Sequence, residues 1–156
     1  MRAYCRRGRR KVGERGAAAV EFALVVLPLV LIIGGVITYG FVLAQQASLS
    51  SGAREAARYG SVNLYAADHS CTEMIKRAKA SAVTVGMAAD QVTVEAAVGG
   101  APVCAGGGPQ PPCEGSNPDG SNTLTVRTTF SPTEFFPLLP VPSTLTGEGI
   151  YRCEYR

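Results

Sequence analysis

The chain of 156 residues has no tryptophan, one histidine (His69) and no Cys-x-x-Cys pair. Structural zinc needs four Cys or His ligands at close, paired spacings, so we expect no metal. His69 follows Asp68 in a polar stretch and reads as a solvated loop residue. Neither a GxGxxG run nor a P-loop occurs. Residues 115–120 form a Gly/Asn/Pro/Asp turn cluster, without the strand-turn-helix context of a nucleophile elbow. These absences lead us to expect no enzyme and no cofactor. Charge is also scarce, at 17%. It is strongly sorted as well. Residues 1–16 carry seven basic groups (Arg2, Arg6, Arg7, Arg9, Arg10, Lys11, Arg15) against Glu14 alone, which leaves 8 basic and 11 acidic groups for the rest. A nucleic-acid-binding surface needs basic residues spread over a folded face. Here they sit in one short arm, so no nucleic acid is expected as a partner.

What the chain does have is a run of 23 uncharged residues, 22–44, reading FALVVLPLVLIIGGVITYGFVLA. As a helix it is about 35 Å long, against a hydrocarbon core of about 30 Å. The basic arm before it keeps the N-terminus on the cytoplasmic side and puts the residues after the run outside. A buried helix of a soluble protein this long and this apolar is rare. A cleaved secretory signal has a shorter apolar region, but Val42-Leu43-Ala44 before Gln45 offers small residues for a signal peptidase. Release near Ala44 is therefore an open alternative. Pro28 removes the helical partner of the Leu24 carbonyl, and a mild kink is expected there.

At the head of the run stands Arg15-Gly16-Ala17-Ala18-Ala19-Val20-Glu21-Phe22. A basic stretch ends in Gly, a small apolar residue follows, and a Glu comes five residues after the Gly. This resembles the site at which a membrane prepilin peptidase cuts type IV pilin-like proteins after the Gly. The likeness continues through Leu27-Pro28-Leu29, Gln46 with Ala47 and Leu49, and Ala53-Arg54-Glu55-Ala56-Ala57-Arg58-Tyr59. Over residues 15–60 the chain resembles the TadE family, the pseudopilins of tight-adherence (Flp-type) pilus systems. Such proteins often carry an acidic residue late in the span, where this chain has Thr38-Tyr39-Gly40.

The resemblance implies processing between Gly16 and Ala17, and assembly through Glu21 and Phe22. It also implies partners: a prepilin peptidase, other pilins or pseudopilins, inner-membrane pilus assembly proteins, and membrane lipid. The location implied is the cytoplasmic membrane, single-pass, with the C-terminal domain outside and incorporation in a surface pilus open. The family's major pilins are much shorter chains, which favours a minor, accessory subunit. The alternative is an uncleaved single-pass protein with an extracellular interaction domain. Physical chemistry supplies a reason for Glu21. A carboxylate at mid-membrane costs about 2.5–3.5 kcal/mol. A new amine on Ala17, about one helical turn away, would offset that cost. Without cleavage, Glu21 is simply an acid at a favourable helix N-terminus.

The sequence therefore divides into a basic leader (1–16), a membrane and continuing helix (17–60) and an extracytoplasmic domain (61–156). The helix is expected to run on through AQQASLSSGAREAARYG, with Arg54, Glu55 and Arg58 marking entry into water and Gly60 as its stop. Small residues recur every fourth position: Gly40, Ala44, Ser48, Gly52, Ala56 and Gly60. Steps of four drift about 40° each, so different parts of this row must meet different neighbours.

In the domain, Ser70-Cys71-Thr72-Glu73 has capping-box form and opens a helix over about 71–84, ended by Gly86. Its inward face is Cys71 or Met74, Ile75, Ala78 and Ala82. Alternation predicts strands at 91–98 and 123–130, with a weaker one at 150–155. Between the first two, Gly and Pro fill 12 of the 23 positions 99–121, which reads as one long irregular loop. Residues 135–142, apolar but locked by Pro, read as a lid over a sheet face, with a docking patch as the alternative. The fold class is α+β: a long N-terminal transmembrane helix, then a small antiparallel sheet with one short helix, pilin-like. Cys5 falls in the leader. The four cysteines outside form two disulfides, expected as Cys104 with Cys113 and Cys71 with Cys153.

Overall fold

The computed structural model describes residues 13–62, 70–114, 122–133 and 140–154, with backbone only for 13–15. The basic arm with Cys5, His69, the turn cluster at 115–120, most of the lid and the last two residues lie outside the described residues. Helix α1 covers Gly13–Ser61, 49 residues, and runs through Pro28 without ending. Two compact units divide the chain, Met1–Ile37 and Thr38–Arg156. The second unit thus includes the C-terminal part of α1 from Thr38 on.

In the first unit the helix carries its apolar side chains outward. Phe22 is 70% exposed and Leu24 71%. Val25, Leu27, Ile32 and Val36 are exposed as well. Only 6% of its most apolar window is buried, where a core helix would be mostly buried. This is a helix long and apolar enough to cross a membrane.

The second unit is α+β. After α1 comes α2 (Cys71–Ala82), then strands β1 (Thr93–Val98), β2 (Ala101–Val103), β3 (Thr123–Phe130) and β4 (Leu145–Arg152). All pairings are antiparallel, in the order β2-β1-β3-β4. Helix α2 starts as its sequence requires: the Ser70 hydroxyl accepts the Glu73 amide at 3.2 Å. The Glu73 carboxylate turns forward to Lys76 and Arg77 instead of closing the capping box. Cys71, Met74, Ala78 and Ala82 are buried. The helix ends at Ala82 with Val83 extended, earlier than Gly86. Gly86, at φ +76°, instead serves a tight turn closed by Thr84 and Met87.

The sheet buries one face through register. Val98, Leu124 and Tyr151 form one cross-strand row. Ala96, Val126 and Gly149 form the next, and Val94, Thr128 and Gly147 the third. Strand β3 alternates strictly, with Leu124, Val126, Thr128 and Phe130 buried. Two core clusters result. One gathers Ala56, Ala57, Met74, Ala78, Ala96, Leu124 and Val126. The other gathers Leu49, Ala82, Met87, Val92, Phe130 and Leu145.

Three expectations need correction. The segment 99–121 is not one loop. Gly99 and Gly100 both take positive φ (57° and 88°) and form a two-residue hairpin turn that creates β2. The last strand begins at Leu145 rather than at 150. The disulfides join Cys71 to Cys104 and Cys113 to Cys153, with Cα separations of 5.3 and 5.9 Å. The expected pairs, Cys104 with Cys113 and Cys71 with Cys153, do not form. The reason lies in how residues 104–113 are held. Their middle is bonded along the start of α2, from Cys71 N to Gln110 O (2.9 Å) and Thr72 N to Gly108 O (3.2 Å). One end is thereby brought to Cys71. The other reaches Cys153, whose amide is fixed by Asn122 O at 3.0 Å. Gly60 is a further correction. It does not stop α1 by a left-handed turn, because its φ is not positive. It is a packing glycine, since a Cβ there would meet Leu124 Cδ2 and Met74 Sδ at 2.8 Å.

Candidate functional site

The residues singled out for processing and assembly lie on the first turns of α1. Gly16, Ala17, Glu21 and Phe22 are all helical and all exposed. Ala17 and Glu21 stand at i and i+4, the spacing that puts two positions on one helical face. Phe22 follows about 100° further round. An amine at Ala17 would therefore stand one turn below the Glu21 carboxylate. Nothing within 4 Å would obstruct a Cβ on Gly16. The first unit gives Glu21 no ion-pair partner among the described residues. This arrangement leaves a carboxylate, an aromatic ring and a column of aliphatic side chains available to neighbours.

From Thr38 onward the same helix is built differently. Its small residues admit other backbones. A Cβ on Gly52 would lie 2.6 Å from Ala78 O of α2. Strand β4 crosses the helix still more closely: a Cβ on Gly147 would meet the Leu49 carbonyl carbon, and one on Gly149 the Ala53 carbonyl oxygen, both at 2.4 Å. Only glycine fits either place. Polar groups complete the seam. Thr128 Oγ1 donates to Leu49 O at 3.0 Å, fully buried. Gln46 Nε2 donates to Thr146 O. Arg77 of α2 lies over the Tyr59 ring, 4.0 Å from its centre. At the far end, Glu154 N donates to Ser61 O at 3.0 Å. The domain is thus folded around residues 38–61.

Gly52, Ala56 and Gly60 of the small-residue row are buried within the chain, while Gly40 has nothing within 4 Å. The row does meet different neighbours along its length. Sequence reasoning missed Gly147, Gly149 and Thr128, and named Gln46 only as part of the resemblance. The alternation Gly147-Glu148-Gly149 was the available signal: two glycines on one strand face point to close backbone approach.

The opposite sheet face carries threonines and an Arg127–Glu148 ion pair at 3.7 Å, both side chains about half exposed. An open groove of about 570 Å³ lies by the β1–β2 hairpin, bordered by Glu95, Ala97, Pro102, Thr125 and Arg127. Among the described residues, no group of three His, Cys, Asp or Glu side chains converges to hold a metal ion.

Residues 16–58 match the family model described as TadE-like protein, the family that the sequence resembles. The matched segment begins at Gly16, covers the helix almost to its end, and stops before α2. No curated protein and no solved structure matches the chain.

Proposed function

We propose, starting from the TadE-like helix of residues 16–58, that this chain is a minor pseudopilin of a tight-adherence pilus system. It enters the cytoplasmic membrane with its N-terminus inside and its domain outside. A prepilin peptidase trims it after Gly16, and its helix assembles with other pilins or pseudopilins and with inner-membrane pilus assembly proteins. The observation that carries this reading is the match itself, on a helix whose first unit is apolar and outward-facing. Trimming makes Ala17 the N-terminal residue. Its ammonium and the Glu21 carboxylate, at i and i+4, neutralise one another within a chain or between adjacent chains.

Two features bear on the alternatives. A cut near Ala44 would remove Thr38, only 3% exposed, from the domain it belongs to. It would also leave a charged amine on Gln45, itself 7% exposed. Both consequences weigh against a released domain. The two disulfides suit an oxidising compartment and fit equally a chain that keeps residues 1–16 and acts as an anchored interaction module. Mass spectrometry of the mature chain from its own cells separates the readings. A start at Ala17 supports pseudopilin processing, intact residues 1–16 the anchored module, and a start at Gln45 the released domain. Gly16→Ala is expected to abolish trimming, seen as a larger band on a gel. A Gly16→Ala chain that matures to the same size would remove the peptidase from the account. Glu21→Ala is expected to insert normally but to be lost from the assembly, and normal incorporation would refute the ammonium–carboxylate pair.

A further inference from the structure

We infer that the base of the domain is itself a lipid-facing surface, seated in the outer headgroup layer beside the helix. This rests on the membrane-spanning reading of α1 and extends it to the domain. Between Glu21 and Arg54 the chain has 32 residues without a charge. In a helix they cover about 48 Å, more than the roughly 30 Å of hydrocarbon and close to the 40–45 Å that includes both headgroup layers. With Glu21 at the inner edge, about 20 residues cross the hydrocarbon, which therefore ends near Phe41. The outer headgroup layer then surrounds the next turn, around Gln45.

The domain is already packed on the helix at that level. The Tyr39 hydroxyl donates to Pro140 O at 3.3 Å, and Gln45 Nε2 donates to Val85 O at 3.4 Å. The two segments so held, residues 80–89 and 140–147, contain no charged residue. They belong with the second core cluster through Ala82, Met87 and Leu145. In the first of these segments Val83 is 50% and Val85 69% exposed, and Val85 is the residue bonded to Gln45. Water is a poor neighbour for such side chains. Tyr39 stands where a membrane protein carries its interfacial aromatic ring, with its hydroxyl bonded. The occupant is lipid because Val85 is bonded to Gln45, about one helical turn past the end of the apolar span on the same charge-free helix. Among the described residues, the ion pairs of Glu73 with Lys76 and Arg77, and of Arg127 with Glu148, lie on other segments.

The absence of tryptophan makes a direct test simple. Full-length chains carrying Leu31→Trp, Val85→Trp, Val83→Trp or Ala101→Trp are reconstituted into phosphatidylethanolamine–phosphatidylglycerol vesicles, with part of the lipid brominated high in the acyl chains. Ala101 lies at the hairpin end of β1, away from Met87 and Val92. Val85→Trp and Val83→Trp are expected to lose fluorescence to brominated lipid. They should also be several-fold less sensitive to aqueous iodide than Ala101→Trp. Iodide quenching of both at the Ala101→Trp level, with Leu31→Trp quenched by lipid, overturns the proposal and leaves the span intact. Protection from iodide without quenching by brominated lipid means that protein covers the patch, which also overturns it. Failure of lipid to quench Leu31→Trp removes the span and this proposal together.

Discussion

The two parts of α1 are one continuous helix with opposite relations to their surroundings. From Phe22 to Ile37 most side chains are large, apolar and outward, and the chain offers them little to pack against. From Thr38 small and polar residues are interspersed with Val42 and Leu49, and strand β4 and helix α2 pack closely on them. In the first part, the rest of the chain places little constraint on a single residue's identity. In the second, residue size is set by backbones of the same chain lying within van der Waals contact. Similar small residues therefore have different meanings: Gly40 is unobstructed, whereas Gly52 and Gly60 are packed against α2 and the core.

Glycine substitutions probe this contrast most severely. Gly149→Val is expected to prevent the domain from folding, because its Cβ would overlap the Ala53 carbonyl and backbone cannot yield as a side chain can. The cost should exceed the roughly 1–3 kcal/mol usual for overpacking. Gly40→Ala, with nothing within 4 Å, is expected to leave domain stability unchanged or slightly raised. Limited proteolysis of both chains in detergent reads the difference, and equal resistance would mean that β4 does not lie on the helix.

Next in size is the disulfide between Cys113 and Cys153, which spans 40 residues of sequence. Replacing both with serine is expected to cost about 4 kcal/mol, measured by thermal unfolding. Non-reducing peptide mapping supplies the connectivity, and a peptide joining Cys104 to Cys113 would contradict the strap held along α2. Leu49→Ala, fully buried, is expected to cost about 2–5 kcal/mol of domain stability, while exposed Leu24→Ala should cost the domain nothing. Similar effects from the two would erase the boundary at Thr38. The smallest change is Thr128→Val. It removes one buried hydrogen bond to Leu49 O and should cost about 1 kcal/mol in the same melting experiment. No measurable loss would assign that seam to packing alone.

Much of this architecture was legible because it depends on local patterns. The charge-free run, the Ser70 cap and the alternation of Thr123-Leu124-Thr125-Val126 each act over a few residues, and α1, α2 and β3 follow from them. Strand β1 was blurred at its start, because Ala89–Gln91 forms a 3-10 turn before it. Strand β2 was hidden by its brevity and by the Pro and Gly around it, although Gly99-Gly100 is a hairpin signal. Strand β4 was shortened in the sequence reading because Gly147 and Gly149 occupy its inward positions, where an apolar alternation would ordinarily reveal a buried face.

The sequence by itself determined the apolar helix, the placing of Gly16, Ala17 and Glu21 at its head, and the α+β character of the domain, since charge, hydropathy and periodicity are properties of neighbouring residues. Tertiary structure alone decided which cysteines meet, where along α1 the domain begins, and why two glycines stand in the last strand. Those outcomes depend on distances between segments far apart in the chain. A backbone carbonyl of Leu49 or Ala53 pressing on β4 leaves no trace in the residues around it until the fold brings the two together.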